Sequence, residues 1–260
     1  MDRAIDRPTP SADLATPAVR RVPAGQALVW LQRGYDDMRR LGFASLGHGV
    51  FVAGFGVVML ALGWAAPYLV PAFAGGFLLI APFAAIGLYA LSQQLEMDRP
   101  VSTSDALFAW RRNAGSIALF GLMLALAWIF WERVAAILFA MFDAGTSTDV
   151  NHLWRDLLLS GDQGALLVAI VGIGAIFAAV VFVLSVVTVP MLLDRPVDIV
   201  SAALTSLRCC ARNPVATLVW AALLAGLTAL GFATAMLGLV VVFPLLGHAS
   251  WHAYRDMVES

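Results

Sequence analysis

From Pro214 to Ser250 the chain carries no charged side chain. No other feature limits the possible folds so sharply. A bilayer core about 30 Å thick takes roughly 20 apolar residues of helix, so this stretch is too long for one crossing. It fits two short crossings divided near Gly231-Phe232-Ala233. Apolar runs of the same kind recur upstream, limited by prolines and polar clusters. They predict spans at about 44–66, closed by Pro67, and 68–91, ending before Ser92-Gln93-Gln94. A third opens after Arg111-Arg112-Asn113 and covers 114–131, with room for the helix to continue. A fourth covers 165–189 and is stopped by Pro190 and Asp194-Arg195. With 214–231 and 233–250 the count is six. Composition agrees, since 61% of residues are hydrophobic and 13% charged, with mean hydropathy +0.85. Soluble domains run near half apolar and a quarter charged, and a 260-residue globule cannot bury so much apolar surface in one core.

Arginine placement tests that count independently. All 16 basic residues are Arg. Seven precede the first span, at Arg3, Arg7, Arg20, Arg21, Arg33, Arg39 and Arg40. Arg99, Arg111 and Arg112 lie between spans two and three; Arg195, Arg208 and Arg212 lie between four and five; Arg255 follows six. Only Arg133 and Arg155 fall between three and four, among Glu132, Asp143, Asp149, Asp156 and Asp162. The positive-inside rule then places both termini and the two Arg-rich loops in the cytoplasm. Residues 1–25 are polar and Pro-rich and are expected to form a disordered cytoplasmic tail, leaving 26–260 as one transmembrane domain. Arg20-Arg21 resembles a twin-arginine signal, but no apolar stretch follows it.

Two of the arginine-rich loops read alike. Asp98-Arg99-Pro100-Val101 leads through a short helical stretch to Arg112-Asn113 and a span. Asp194-Arg195-Pro196-Val197 leads likewise to Arg212-Asn213-Pro214 and a span. Each proline disfavours helix at the residue before it. Ser102 with Asp105 has capping-box spacing, Asp198 can cap the second stretch, and Asn213-Pro214 is a helix-start signal. Leu107 and Trp110, and Val200, Leu204 and Leu207, recur at helical spacing, as do Leu28, Leu31, Tyr35 and Met38 before the first span. These stretches are predicted to lie flat at the membrane surface. Gly76 stands six residues before Pro82 as Gly238 does before Pro244, and Tyr89 and Trp251 each lie seven beyond the proline. Pro190 is the candidate middle equivalent. The economical fold is an all-α polytopic bundle of three repeated hairpins, each led by an amphipathic interfacial helix.

The candidate chemistry is sparse. His248 and His252 are four apart on the helix leaving span six, and His48 at the start of span one should lie at the same level. Three imidazoles at one depth could bind haem or a metal. The plainer alternative is an interfacial cluster bonded to headgroups, backbone carbonyls or acidic loop residues. His152 with Asp149 and Asp156 reads as a polar surface helix. The spans hold essentially no ionisable residue, only mild hydroxyls at Ser185, Thr188, Thr217, Thr228 and Thr234, which argues against a proton- or ion-coupled carrier. Pro82, Pro190 and Pro244 are kinks or hinges. Small residues, such as Gly49, Gly121 and Gly174, permit close helix packing. The adjacent Cys209 and Cys210 are poorly placed for a disulfide and too few for a metal framework. A net charge of -1 suggests no nucleic-acid partner.

Gly76-Phe77-Leu78-Leu79-Ile80-Ala81-Pro82-Phe83, Gly87-Leu88-Tyr89, Pro190-Met191-Leu192-Leu193-Asp194-Arg195 and the closing Gly247-His248-Ala249-Ser250-Trp251-His252-Ala253-Tyr254-Arg255 together resemble a known family. It is the bacterial predicted integral membrane protein family known as domain of unknown function 2189, and the resemblance covers about residues 27–258. It implies a bacterial inner-membrane protein of no established activity. Some members carry the label cytochrome c oxidase subunit I. A haem–copper catalytic subunit needs more histidine ligands than the four present here, so the label implies at most an accessory place beside a respiratory complex. The expected function is therefore a non-enzymatic scaffold or accessory factor for a membrane complex. Two alternatives stand beside it: a transporter of a lipid-like or weakly polar solute, which needs a cavity between hairpins, and a haem- or metal-binding protein using His48, His248 and His252.

Overall fold

The computed structural model describes residues 17–65, 70–142 and 164–259, and among these all regular structure is helical. Residues 1–16 of the expected tail, Pro67, and the outer segment with Asp149, His152 and Asp156 lie outside the described residues. The helices in order are α1 (Gln26–Leu41), α2 (Phe43–Ala65), α3 (Val70–Glu96), α4 (Thr103–Leu107) and, after a 3₁₀ turn at Ala109–Asn113, α5 (Ala114–Phe142). Then follow α6 (Gly164–Ser185), α7 (Thr188–Asp194), α8 (Ile199–Arg212), α9 (Pro214–Ala233) and α10 (Leu239–Met257). Four stretches among the described residues are long and apolar enough to cross a membrane: Phe43–Leu62, Ala109–Leu138, Gly164–Asp194 and Pro214–Ala233. Large apolar side chains on them, such as Leu126, Val168, Ile176 and Leu218, point outward uncovered, an arrangement that suits lipid as the solvent.

The last helix closes the bundle. α10 packs on α1, α2 and α3, and glycine makes two of these approaches possible. A Cβ on Gly34 of α1 would stand 2.7 Å from the backbone nitrogen of Ala249, and one on Gly49 of α2 would overlap the carbonyl of Val240. The N-terminal strand also reaches the C-terminus. Residues 17–25, expected to be tail, instead run across the bundle's end: Val19 bridges Val258, Arg20 N–H donates to Met257 O at 2.9 Å, and Glu259 N–H donates to Ala18 O at 2.9 Å.

Three expected boundaries move. The fourth span does not end at Pro190; the helix breaks at Val186-Val187 and resumes with Pro190 as the third residue of α7. A proline ring opposes the carbonyl four residues back, here that of Val186. Hydroxyls satisfy the carbonyls around the break: Ser206 Oγ donates to Val183 O at 2.7 Å and Thr188 Oγ1 to Leu184 O at 2.6 Å. The last two long helices divide at 234–238 rather than near Gly231-Phe232-Ala233, and α10 accordingly starts at Leu239 and runs to Met257 instead of covering 233–250. The turn needs Ala235 and Met236 at φ 50° and 72°, and Thr234 closes it by donating to Gly231 O and accepting from Gly238 N–H. α3 runs on to Glu96 through Pro82, and Pro244 likewise lies inside α10.

The amphipathic helices keep the expected caps. Ser102 accepts from Asp105 N–H and Asp198 from Ser201 N–H at 2.9 Å. Asn213 sits at the start of α9, but its side chain makes no cap. The stripes face the other way from a soluble protein. Leu28 and Tyr35 on α1, Leu107 and Trp110, and Val200, Leu204 and Leu207 on α8 are exposed. The face of α8 packed inward carries small or polar residues, Ser201, Ala202, Thr205 and Ser206, whereas that of α1 carries Trp30 and Leu41 beside Gly34 and Asp37 and also takes in Met38 of the expected stripe. Oily outer stripes of this kind are what a helix lying in the headgroup region presents to acyl chains.

Candidate functional site

The histidines meet a carboxylate that the sequence did not single out. Asp37 is buried because α1 lays its Trp30, Gly34, Asp37, Leu41 face against the bundle. Ser92 Oγ donates to Asp37 Oδ2 at 2.7 Å, and His252 Nε2 reaches the same oxygen at 2.9 Å. His248 Nδ1 lies 2.7 Å from Ser92 Oγ, and its Nε2 lies 2.7 Å from Ser45 Oγ. Donor directions follow from the carboxylate, which only accepts. Ser92 spends its proton on Asp37, so His248 must donate from Nδ1, and Ser45 then donates to the bare Nε2. Burial raises the Asp37 carboxyl, yet the hydrogen bonds from His252 and Ser92 and the neighbouring imidazoles more than offset it and hold the group below its ordinary value. Five side chains from α1, α2, α3 and α10 thus form one chain of bonds.

His48 stands apart from that chain. Its Nδ1 donates to Ala44 O at 2.9 Å, while Nε2 packs against Gly87 with no hydrogen-bond partner. The three imidazoles expected at one depth therefore do not present free nitrogens to one point: both nitrogens of His248 are engaged with serines, and His252 Nε2 with Asp37. Among the described residues no group of three or more His, Cys, Asp or Glu side chains is arranged to hold a metal ion. Burial pushes the thiols of Cys209 and Cys210 up to about 12 and about 11, which leaves them as small apolar groups.

The repeated loop motifs converge at the arginine-rich end, but unequally. Asp98 lies in an exposed turn at φ 50°, with Arg99 and Pro100 after it. Asp194 is a hub: it accepts from Gln93 Nε2 at 2.7 Å and from Tyr254 OH at 2.6 Å, with Arg255 3.5 Å away. Arg112 donates to Gln93, Arg195 to Tyr254, and Arg255 and Trp251 to Glu96. The two motif asparagines tie down backbone. Asn113 Nδ2 donates to Val197 O at 2.9 Å, just beyond Pro196; Asn213 accepts from Val22 N–H at 2.8 Å and donates to Arg20 O at 2.9 Å.

Between the long helices lies a cavity of about 790 Å³. Its walls come from α2, α3, α5, α6, α9 and α10, with aromatic rings at Phe120, Trp128, Trp131, Phe177, Trp220 and Phe243. No charged side chain is among its described lining residues. Val171 of α6 and Phe232 of α9 line it and are also exposed, so it opens sideways between those helices.

Residues 69–194 match the family model described as Predicted integral membrane protein (DUF2189). This is an integral membrane protein. The DUF2189 match takes in α3 through α7, with the Asp98 turn inside it and Asp194 as its last residue. α1 and α10, which supply Asp37, His248 and His252, lie outside it. No curated protein and no solved structure matches the chain. Outward apolar faces and an uncharged cavity agree with the family description. The sequence missed three parts of the site: Asp37, which its spacing of seven from Trp30 could have placed on an inward face; Ser45 and Ser92, which carry no local signal; and the cavity itself.

Proposed function

We propose that this membrane protein is non-enzymatic and accommodates a lipid-like or weakly polar solute in the cavity between its long helices. One observation carries the reading: a space of about 790 Å³ between the long helices, walled by aromatic and aliphatic side chains. Pockets that enclose one small ligand run roughly 300–1,000 Å³. The Asp37–Ser92–His248–Ser45 chain supports the same reading from the other side. Its residue types resemble those of a hydrolase, but Ser45 is fully buried and Asp37 bonds a serine rather than His248. It acts as a lock holding α1, α2, α3 and α10 together.

The topology proposed with it is six spans in three hairpins, each led by an interfacial helix, with both termini and the arginine-rich end in the cytoplasm. Support comes from the asparagines. Asn113 holds the leader of α8, and Asn213 holds the leader of α1, so each fastens the segment that leads into another amphipathic helix.

Photo-crosslinking tests the solute reading. In reconstituted vesicles, a phospholipid with a diazirine on its acyl chain should label inward residues such as Phe120, Leu224 and Phe243, and Leu224→Trp or Ala127→Phe should remove that labelling. Labels confined to outward residues such as Val168 and Leu218 would refute it. A second reading, an accessory factor in a membrane complex, draws on the exposed rim cluster where Arg111 lies 4.5 Å from the Phe108 ring centroid and 5.5 Å from that of Trp110. Crosslinking in native membranes that recovers only the monomer would remove its support.

A further inference from the structure

The polar groups of the cavity are not spread evenly. Tyr89 and Ser250 lie roughly two turns from the arginine-rich ends of α3 and α10, and Ser185 is the last residue of α6. Ser250 Oγ donates to Leu246 O at 2.7 Å and Ser185 Oγ to Val181 O at 2.6 Å, so each oxygen keeps lone pairs free to accept. The Tyr89 hydroxyl sits beside Ser250 and brings a donor. Toward the opposite end the walls are Trp131, Val171, Leu224, Phe232 and Leu239, with Thr228 as the one hydroxyl among the described lining residues there.

Charge is excluded from this space by two facts. No described lining residue is charged. Three arginines at the polar end of the cavity are committed elsewhere: Arg112 to Gln93, Arg195 to Tyr254 and Asp194, and Arg255 to Glu96 and Asp194. An anionic head entering the cavity would lose its hydration with no cation to pair it. A hydroxyl or carbonyl needs only one or two hydrogen bonds, which the three hydroxyls can supply.

We propose that the cavity takes an uncharged amphiphile, one hydroxyl or carbonyl head on an apolar chain, with the head at the Tyr89–Ser250–Ser185 end and the chain toward Trp131 and Leu239. The inference rests on the cavity being a solute site and adds the solute's class and orientation. Phospholipids bearing a charged headgroup would then enter by an acyl chain alone.

A matched pair of probes tests it. Farnesol and farnesyl phosphate share one chain and differ in the charge of the head, and farnesane lacks the head altogether. Each is titrated against the diazirine phospholipid in wild-type protein in vesicles, reading loss of crosslink at Leu224 and Phe243. Farnesol should compete about tenfold more strongly than farnesyl phosphate. Tyr89→Phe should weaken farnesol about threefold to tenfold, the loss of one hydrogen bond, and leave farnesane unchanged. Ser250→Ala serves the same purpose should Tyr89→Phe fold poorly. Equal or stronger competition by farnesyl phosphate, or farnesol binding untouched by both variants, overturns the inference. In either event Leu224→Trp still abolishing the crosslink would leave the solute reading standing; a crosslink that survives Leu224→Trp and Ala127→Phe would remove both.

Discussion

Replacing Gly34 with alanine should destabilise the protein far more than the same change at another helical glycine. The added Cβ would stand 2.7 Å from Ala249 N and 2.9 Å from both Ala249 Cβ and Leu245 O, where ordinary contact begins near 3.4 Å. Two of these three atoms are backbone and cannot rotate away, so α1 and α10 must part by about 0.7 Å, the gap between 2.7 and 3.4 Å. The bonds that cross this interface have no such slack. His252 Nε2 to Asp37 and Trp30 Nε1 to Asp256 are both 2.9 Å, and stretching by that amount takes them to about 3.6 Å, beyond hydrogen-bonding range. Overpacking alone costs roughly 1–3 kcal/mol, and a lost bond to a charged group adds about 1.5–3 kcal/mol. Gly34→Ala should therefore lower the unfolding free energy by roughly 2.5–6 kcal/mol. The control is Gly226→Ala in α9, where nothing lies within 4 Å of the new Cβ; better helix propensity should make it neutral to about 1 kcal/mol stabilising. Unfolding in mixed micelles with increasing sodium dodecyl sulfate, followed by circular dichroism, measures both. A Gly34→Ala protein within about 0.5 kcal/mol of wild type would mean that α1 does not dock on α10 at this point, and the placement of Asp37 would fall with it.

Acid should loosen the same interface. Asp37 titrates below its ordinary value in the folded state, so its stabilisation is full above the usual carboxylate range, near pH 4, and is lost as pH falls through the depressed value. Asp37→Asn removes the charge, and its unfolding free energy should vary less with pH between about pH 5 and 2 than that of wild type; equal slopes would count against a buried ionised Asp37. Asn213→Ala releases the N-terminal strand from its two side-chain bonds at Arg20 and Val22. Trypsin should then cut at Arg20 and Arg21 about tenfold faster in the folded protein, as expected for one or two bonds of roughly 1 kcal/mol each, and unchanged cleavage would show that the strand is held by other contacts.

The candidate site was legible in the sequence only where local chemistry announces itself. His248 and His252 share a helix face by spacing alone, and they do meet one polar chain, His248 at Ser92 and His252 at Asp37. Ser102 and Asp198 announce caps because capping is a matter of four consecutive residues. Pro190 reads as a stop, whereas the helix breaks before it and resumes, because the proline acts on the carbonyl four residues back and Ser206, on the next amphipathic helix, makes the break tolerable. Asp37 shares a face with Trp30 by spacing, but nothing local distinguishes a carboxylate facing water from one facing two imidazoles.

What the sequence alone determined is the solvent and the class of structure: apolar runs of bilayer length must be helical, because in lipid each backbone polar group has to be satisfied within its own segment. That argument needs only near neighbours, and it places most helix limits within a few residues. Tertiary structure decided which way each helix turns. The outer stripe at Leu28 and the inward carboxylate at Asp37 follow from docking against α10, whose contacts with α1 span more than two hundred residues of chain. The cavity is likewise a property of how α5, α6, α9 and α10 fail to fill the space between them, and no single helix carries the record of a space that it only partly encloses.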